Sequence, residues 1–217
     1  MLNSTTSRMA FALGIGLISG CTALAAECDS RYKRNKMSKR VEGFTLQANK
    51  IMEDRLAVHQ CEKADGFMVG VFDGHGGWQS ADYASKKLLH YMDETLEKAK
   101  DEKAKKKAID EAYTKVEDEM HHMARGAYDY GFGKAATVGT CALTAFIQDD
   151  KIFVNQAGDS LCVLFSKTDE GYNTTVLSEA FNAHNPSEKS RLEKKFKKEK
   201  DIVLCHSEQS CYVKGRL

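Results

Sequence analysis

Two side chains that can do chemistry, Asp73 and His75, lie in a glycine-rich turn that follows a short apolar run. The run, residues 69–72, has the composition of a buried strand. Three glycines within residues 74–77 allow the backbone of the turn to come close to a ligand. A carboxylate, an imidazole and an accessible carbonyl in one turn can bind a cation or a phosphate. The turn is therefore predicted to be a reactive site.

Three more carboxylates, those of Glu53, Asp54 and Asp159, are candidates to join this turn at one site. Glu53 and Asp54 are adjacent at the edge of a strand-like segment, so their side chains point in opposite directions if the chain is extended. Asp159 lies in a predicted turn between two strands. Taken singly, each feature is also typical of an ordinary turn or an exposed surface. Spacing alone does not decide between these interpretations.

If these oxygen atoms converge, they suit Mg²⁺ or Mn²⁺ better than Zn²⁺, because they are hard ligands. Two such cations about 3.5 to 4 Å apart would lower the pKa of a shared water molecule and orient it for attack on phosphorus. His75, beside the carboxylate that bridges the cations, could then protonate the leaving alkoxide. The cysteines are not needed for this chemistry.

The elements that would position these residues are helices grouped between blocks of antiparallel strands. Apolar spacing predicts a helix that begins near Trp78 and a second helix with apolar positions from Ala108 to Met123. Residues 126–136 are predicted to form a loop, and Asn185 marks the start of a third helix. The later strands are predicted over residues 138–147, 152–157, 161–165, 172–177, 202–205 and 212–213. This arrangement predicts an α+β fold.

Composition sets limits on the class of protein. The 217 residues are enough for one domain with a sizeable core. Lys and Arg (32) almost balance Asp and Glu (31), so the net charge of +1 gives no general attraction to nucleic acid, and no nucleic-acid partner is expected. The seven cysteines show no pair or Cys/His spacing of a zinc site, and they are interpreted as mostly buried, reduced thiols.

The first residues differ in composition from the rest of the chain. Residues 1–26 carry Arg8 as their only charge and are predicted to be a targeting or anchor segment outside the fold. The uncharged run 9–26 suits a secretory signal or a membrane anchor, whereas the lack of acids and the Ser and Thr content also suit an organellar transit peptide. Membrane contact is expected only through this segment, if it is uncleaved. Residues 27–41 are predicted to be a basic linker.

Four motifs taken together carry a resemblance to a known family. They are Val71-Phe72-Asp73-Gly74-His75-Gly76-Gly77, Met52-Glu53-Asp54, Gly139-Thr140 and Ala157-Gly158-Asp159-Ser160. In order and distance they resemble the metal-dependent protein serine/threonine phosphatases of type 2C. The resemblance implies two antiparallel β-sheets packed as a sandwich and flanked by helix pairs. It also implies metal-dependent hydrolysis of phosphoserine and phosphothreonine in a phosphorylated protein partner.

The same resemblance implies a role for each site residue. Asp73 would bridge two metal ions, Mg²⁺ or Mn²⁺, and Glu53 with the carbonyl of Gly74 would complete one of the two sites. Asp54 would bind a metal-bound water. Asp159 would serve a further, weaker metal, and His75 would be the general acid.

A closer branch is indicated by Leu46-Gln47-Ala48-Asn49, Glu53-Asp54-Arg55, Leu177-Ser178 and Ala183-His184-Asn185. These segments are similar to pyruvate dehydrogenase phosphatase, which implies a mitochondrial location. Many type 2C phosphatases have an arginine where this chain has Asn49, and the closer branch shares the asparagine. The uncharged run 9–26 leaves the secretory pathway or a membrane anchor as the alternative.

The family pattern continues beyond a segment that resembles Gly215-Arg216-Leu217, with two further metal-binding aspartates. Residues 42–217 are therefore expected to be a partial type 2C domain, incomplete at the C-terminus. The expectation for this chain taken alone is weak activity or none. The alternative function is a truncated pseudophosphatase that acts as a phosphoprotein-binding module.

Overall fold

The computed structural model describes residues 9–14, 21–28, 41–47, 50–207 and 210–213. The helices are α1 (Gln79–Leu96), α2 (Glu102–Asp129) and α3 (Pro186–Lys195). The strands are β1 (Met9–Gly14), β2 (Cys21–Cys28), β3 (Val41–Leu46), β4 (Arg55–Gln60), β5 (Phe67–Phe72), β6 (Gly74–His75), β7 (Gly139–Thr140), β8 (Ala142–Gln148), β9 (Lys151–Ala157), β10 (Leu161–Thr168), β11 (Gly171–Val176), β12 (Val203–Ser207) and β13 (Ser210–Val213).

Strand β5 is the centre of the fold, and all six of its residues are buried. It pairs antiparallel with β4 on one side and β8 on the other, in a four-stranded sheet of order β4-β5-β8-β9. Because side chains alternate along a strand, Val69 and Val71 enter one apolar cluster and Met68 and Phe72 enter another. The strand predicted from the apolar run before Asp73 is thus confirmed, with a core on both faces.

The first cluster lies between this sheet and a five-stranded antiparallel sheet of order β11-β10-β1-β2-β3. Cys162 of β10 and the partly buried Val41 and Leu164 pack there against Val69 and Leu143. Two antiparallel sheets therefore share one apolar interior. The predicted α+β fold with antiparallel sheets and helices is confirmed.

The second cluster lies between the four-stranded sheet and helices α1 and α2. Helix α1 begins directly after Trp78, as the spacing predicts. The loop predicted over residues 126–136 is wrong at its start, since α2 continues to Asp129. Gly126 lies on an open helix face, where a glycine costs only about 1 kcal/mol relative to alanine. A short 3₁₀ helix, Ala135–Thr137, then leads into β7.

The amino-terminal segment differs from its prediction. Residues 1–26 are predicted to lie outside the fold, but β1 pairs with β10 and β2, and β2 pairs with β3. The predicted linker 27–41 likewise begins inside β2 and ends at the first residue of β3. An uncharged run suits an interior strand as well as a leader, which is why composition alone misassigned it. A targeting role for the segment stays a prediction.

The predicted single domain divides into two compact units, residues 1–178 and residues 179–217. In the second unit, Asn185 caps α3 by accepting the backbone N–H of Ser187, and Pro186 is its first residue, as predicted. The interpretation of the cysteines as reduced thiols is wrong for Cys205 and Cys211, which face each other across the β12–β13 hairpin and form a disulfide.

In the described part of the chain, Cys61, Cys141 and Cys162 are free cysteines. Over the same residues, the helices are each too short or too polar to cross a membrane.

Candidate metal centre

Backbone pairing between β6 and β7 holds the reactive turn in place. Strand β6, which includes His75, pairs with β7, so that Gly74 faces Thr140 and His75 faces Gly139. The main-chain carbonyl of Asp73 accepts the N–H of Cys141 at 2.7 Å and the hydroxyl of Thr140 at 3.0 Å. Because this carbonyl is used by the fold, the carboxylate is the group through which Asp73 can bind a ligand.

The predicted carboxylates Asp54, Asp159 and Glu53 are all near enough to Asp73 to act on its charge. Burial raises the pKa of the Asp73 carboxyl to about 6, and repulsion from Asp54, Asp159 and Glu53 adds to the shift. A half-buried acid surrounded by three others is unfavourable unless a cation compensates the charge. The donor set of carboxylate oxygens therefore fits a hard divalent cation such as Mg²⁺ or Mn²⁺.

Gly74 is the residue that lets the acidic loop close onto the turn. A Cβ atom at this position would lie 2.5 Å from the main-chain oxygen of Glu53 and 3.2 Å from Cβ of Ala81. Any larger residue would therefore push the loop that carries Glu53 and Asp54 away from Asp73. The requirement for glycine here is close approach of two backbones rather than a special dihedral angle.

Arg55, which was quoted in a motif but given no role at the site, fixes the same loop. Its Nη1 donates to the main-chain carbonyls of Met52 at 3.2 Å and Asp54 at 2.9 Å, and its Nε donates to Asp82 of α1 at 3.2 Å. The guanidinium also lies 5.5 Å from the ring centre of Trp78. Arg55 thus ties the acidic loop to the first turn of α1. Its place directly after the acidic pair is the only sequence signal for this role.

His75 lies at the edge of the acidic group. Burial lowers the pKa of its imidazole, while Glu53 and Asp159 oppose the shift. A Cβ atom added at Gly139 would overlap Nε2 of His75, so the imidazole lies directly against the glycine of the paired strand. The β6–β7 pairing therefore sets the position of the imidazole.

Cys141, which was not predicted to belong to the site, lies beside Asp159. Asp159 is exposed in the turn between β9 and β10, and the thiol of Cys141 donates to its Oδ1 at 3.5 Å. Ligand atoms of Asp73, Cys141 and Asp159 all lie within 4.8 Å of one another. Burial raises the pKa of the Cys141 thiol to about 12, with further contributions from Asp159 and Asp73. The sequence had placed Cys141 only among the cysteines interpreted as mostly buried, reduced thiols.

The structure thus brings together Glu53, Asp54, Asp73 and Asp159, with His75 beside them, and adds Arg55 and Cys141. Asn49, named for its resemblance to the closer branch, lies outside the described residues.

The sequence of this chain is similar to sequences of known proteins. Residues 33–199 match a family profile described as protein phosphatase 2C. The chain is 32% identical over 142 residues to probable protein phosphatase 2C 42 of Arabidopsis thaliana, an alignment that covers 64% of this chain and 36% of the relative. It is 30% identical over 171 residues to probable protein phosphatase 2C 61 of Oryza sativa subsp. japonica, covering 78% of this chain and 44% of the relative. The chain therefore spans less than half the length of these relatives.

The fold agrees as well. A crystal structure of serine-threonine phosphatase 2C from Toxoplasma gondii superimposes with a TM-score of 0.55 at 16% sequence identity. The match covers 84% of this chain and 58% of the other. At that identity the likeness supports the fold, and the site must be argued from its own residues.

Proposed function

Because this chain belongs to the protein phosphatase 2C family, we propose that it carries part of the metal centre of a Mg²⁺- or Mn²⁺-dependent phosphatase. The proposed reaction is hydrolysis of phosphoserine and phosphothreonine in phosphorylated proteins. The observation that supports it is that the charges of Asp54, Asp159 and Glu53 all act on the half-buried carboxylate of Asp73. A bound cation would offset the repulsion among these acids.

In this proposal the carboxylates of Asp73, Glu53 and Asp159 and the carbonyl of Gly74 would hold the cations. Asp54 would hold them through water. Bound cations supply the water nucleophile at neutral pH and offset the negative charge that develops on the phosphoryl group.

In the proposed reaction the protein itself would position the reacting groups and transfer a proton. Arg55 holds the loop of Glu53 and Asp54, and the β6–β7 pairing holds His75. His75 would donate a proton to the leaving oxygen of serine or threonine. Burial lowers the pKa of this imidazole, which makes its protonated form a stronger acid and also less abundant at neutral pH.

The test is release of phosphate from a phosphoserine or phosphothreonine peptide, measured with this chain and with a version extended beyond Leu217. We expect release to require Mg²⁺ or Mn²⁺ and to be lost in Asp73→Asn. Asp118→Asn, at an exposed position of α2, is the matched control and should leave release unchanged. Equal release by Asp73→Asn in the presence of EDTA would contradict the proposal.

A second function, phosphoprotein binding without catalysis, is favoured by the number of ligands. In the part of the chain that the structure describes, one group of three potential side-chain ligands is close enough to share an ion. A two-metal reaction needs ligands for both ions. Binding of the phosphopeptide without phosphate release, in both the given and the extended chain, would support this pseudophosphatase and exclude the enzyme.

The cellular setting is proposed on the resemblance to pyruvate dehydrogenase phosphatase. We place the protein in mitochondria, acting on a phosphorylated metabolic enzyme. A fusion of residues 1–40 to a fluorescent protein tests the location. Mitochondrial fluorescence is the expected result, and fluorescence in the secretory pathway or at a membrane would support the alternative based on residues 9–26.

A further inference from the structure

We propose that Cys141 makes this centre a site for a thiophilic divalent cation, with Zn²⁺ held by the sulfur of Cys141 and the carboxylates of Asp73 and Asp159. The inference extends the proposed metal centre and rests on the proposed function for the metal-binding role of the two aspartates. It adds a ligand of a different chemical class. Sulfur is a ligand that Zn²⁺ accepts and Mg²⁺ avoids.

The distances fit this cation. Zinc bonds of about 2.3 Å to sulfur and about 2.1 Å to oxygen, at a tetrahedral angle, separate the two donors by about 3.6 Å. The sulfur of Cys141 and Oδ1 of Asp159 are 3.5 Å apart. The remaining donor distances, to Asp73, are at most 4.8 Å, which a small side-chain rotation can close. Three protein ligands would leave the fourth position for water.

The sulfur is fixed in this place by the backbone around it. The N–H of Cys141 donates to the carbonyl of Asp73 at 2.7 Å, which places the two residues side by side. On the opposite side is Gly158, which has a φ of +105°, and a Cβ atom there would overlap the sulfur. Glycine is therefore needed at position 158 both for its dihedral angle and for the space that the thiol fills. The thiol is built into the site rather than exposed beside it.

Binding of Zn²⁺ through Cys141 would release one proton. The zinc–sulfur bond forms as the thiol proton leaves to solvent, so the site contributes one thiolate and two carboxylates. A hard cation bound through the same aspartates has no such need and leaves the thiol protonated. Because both modes use Asp73, Zn²⁺ would compete with Mg²⁺ or Mn²⁺ for the centre.

The experiment uses Co²⁺ as a spectroscopic substitute for Zn²⁺, since a thiolate bound to Co²⁺ gives a charge-transfer band in the near ultraviolet. The full chain with Cys21→Ser and Cys28→Ser is the starting protein. We expect the band in this protein, its displacement by Zn²⁺, and its loss in Cys141→Ser. Cys61→Ser, which removes another half-buried free thiol, is the matched control and should keep the band. The Zn²⁺ dissociation constant, from calorimetry, should rise about 10- to 100-fold in Cys141→Ser. The Mn²⁺ constant should change little.

A band that persists in Cys141→Ser, or that disappears in Cys61→Ser, would overturn the inference. If Cys141→Ser does not fold by circular dichroism, alkylation of the folded starting protein replaces it. Zn²⁺ should then protect Cys141 from iodoacetamide, as read by mass spectrometry, while Mg²⁺ should not. Equal alkylation with and without Zn²⁺ would overturn the inference. These readouts need no phosphatase activity, so an inactive protein that binds Co²⁺ through Cys141 contradicts the proposed reaction and supports the zinc site.

Discussion

Asp93 of α1 is the buried acid whose loss should have the largest measurable cost. Its side chain is 4% exposed. Oδ1 accepts the backbone N–H groups of Lys63 at 3.1 Å and Ala64 at 2.8 Å. Oδ2 accepts the N–H of Glu62 at 2.9 Å and lies 3.0 Å from Nε2 of His59. One carboxylate therefore closes the loop between β4 and β5 onto the helix.

Asp93→Asn keeps the shape of the side chain and removes one of its two acceptor oxygens. The amide that replaces Oδ2 is a donor, and it would face the N–H of Glu62. Hydrogen bonds to a charged group contribute about 1.5 to 3 kcal/mol each, and solvent near this loop can satisfy part of what is lost. We expect the free energy of unfolding to fall by about 2 to 4 kcal/mol, a large part of the roughly 5 to 15 kcal/mol of a typical domain.

The cost should depend on pH. Burial by itself raises the pKa of Asp93, but hydrogen bonds from His59 and the three backbone N–H groups outweigh it and hold the pKa below its ordinary value. A lowered pKa in the folded state gives stability that is fully present above the unfolded pKa of about 3.9. That stability is lost as the pH falls through the folded pKa. The difference between Asp93→Asn and the unchanged protein should therefore shrink under acid.

Urea unfolding followed by circular dichroism measures both effects, at neutral pH and at acidic values down to about pH 2, below the unfolded pKa of Asp93. Asp118→Asn, on the exposed face of α2, is the control for loss of one negative charge and should change stability by less than about 0.5 kcal/mol. The reasoning would be refuted if Asp93→Asn cost no more than this control. It would also be refuted if its cost were the same at neutral and acidic pH.

Two further predictions concern the metal centre. Gly139→Ala would place a methyl group on the imidazole of His75, so we expect kcat for the phosphopeptide to fall about 100-fold. Gly133→Ala is the control: its methyl group would have no atom within 4 Å, and kcat should be unchanged. Arg55→Lys removes the planar fork that joins the acidic loop to Asp82, and the calorimetric Mn²⁺ dissociation constant should rise about 10- to 100-fold with the far-ultraviolet spectrum unchanged. An unchanged Mn²⁺ constant would show that the acidic loop keeps its position without this arginine.

The parts of the fold that depend on local pattern were predictable from the sequence. Strand β5 is a continuous apolar run because both of its faces are buried, and α1 shows one apolar face because only one side packs on the sheet. The start of α3 was equally local, since Asn185 and Pro186 cap it within two residues. For the site, spacing supplied the candidate acids, and the family resemblance supplied the expectation that they meet.

The features that were not predicted depend on register between distant segments. The Cys205–Cys211 disulfide follows from the exact pairing of β12 with β13, and the strands within residues 1–26 follow from pairing with β10 and β3. An uncharged or cysteine-containing segment has the same composition whether or not such a partner exists. From the sequence alone, residues 1–26 were therefore assigned to a targeting segment and Cys205 and Cys211 to reduced thiols, because such compositions most often have these roles.

Cys141 shows why this limit matters for function. It falls within the predicted strand 138–147, but β8 begins only at Ala142, and the N–H of Cys141 donates instead to the carbonyl of Asp73. The turn after β9 then approaches from the other side and leaves, at Gly158, room for a sulfur atom. The ligand class of the centre thus depends on two contacts of Cys141. One is with Asp73, 68 residues earlier in the chain, and the other is with Gly158, 17 residues later. Replacing Gly158 with Ala should consequently weaken Zn²⁺ binding without removing any donor atom, because the added methyl group must displace the thiol.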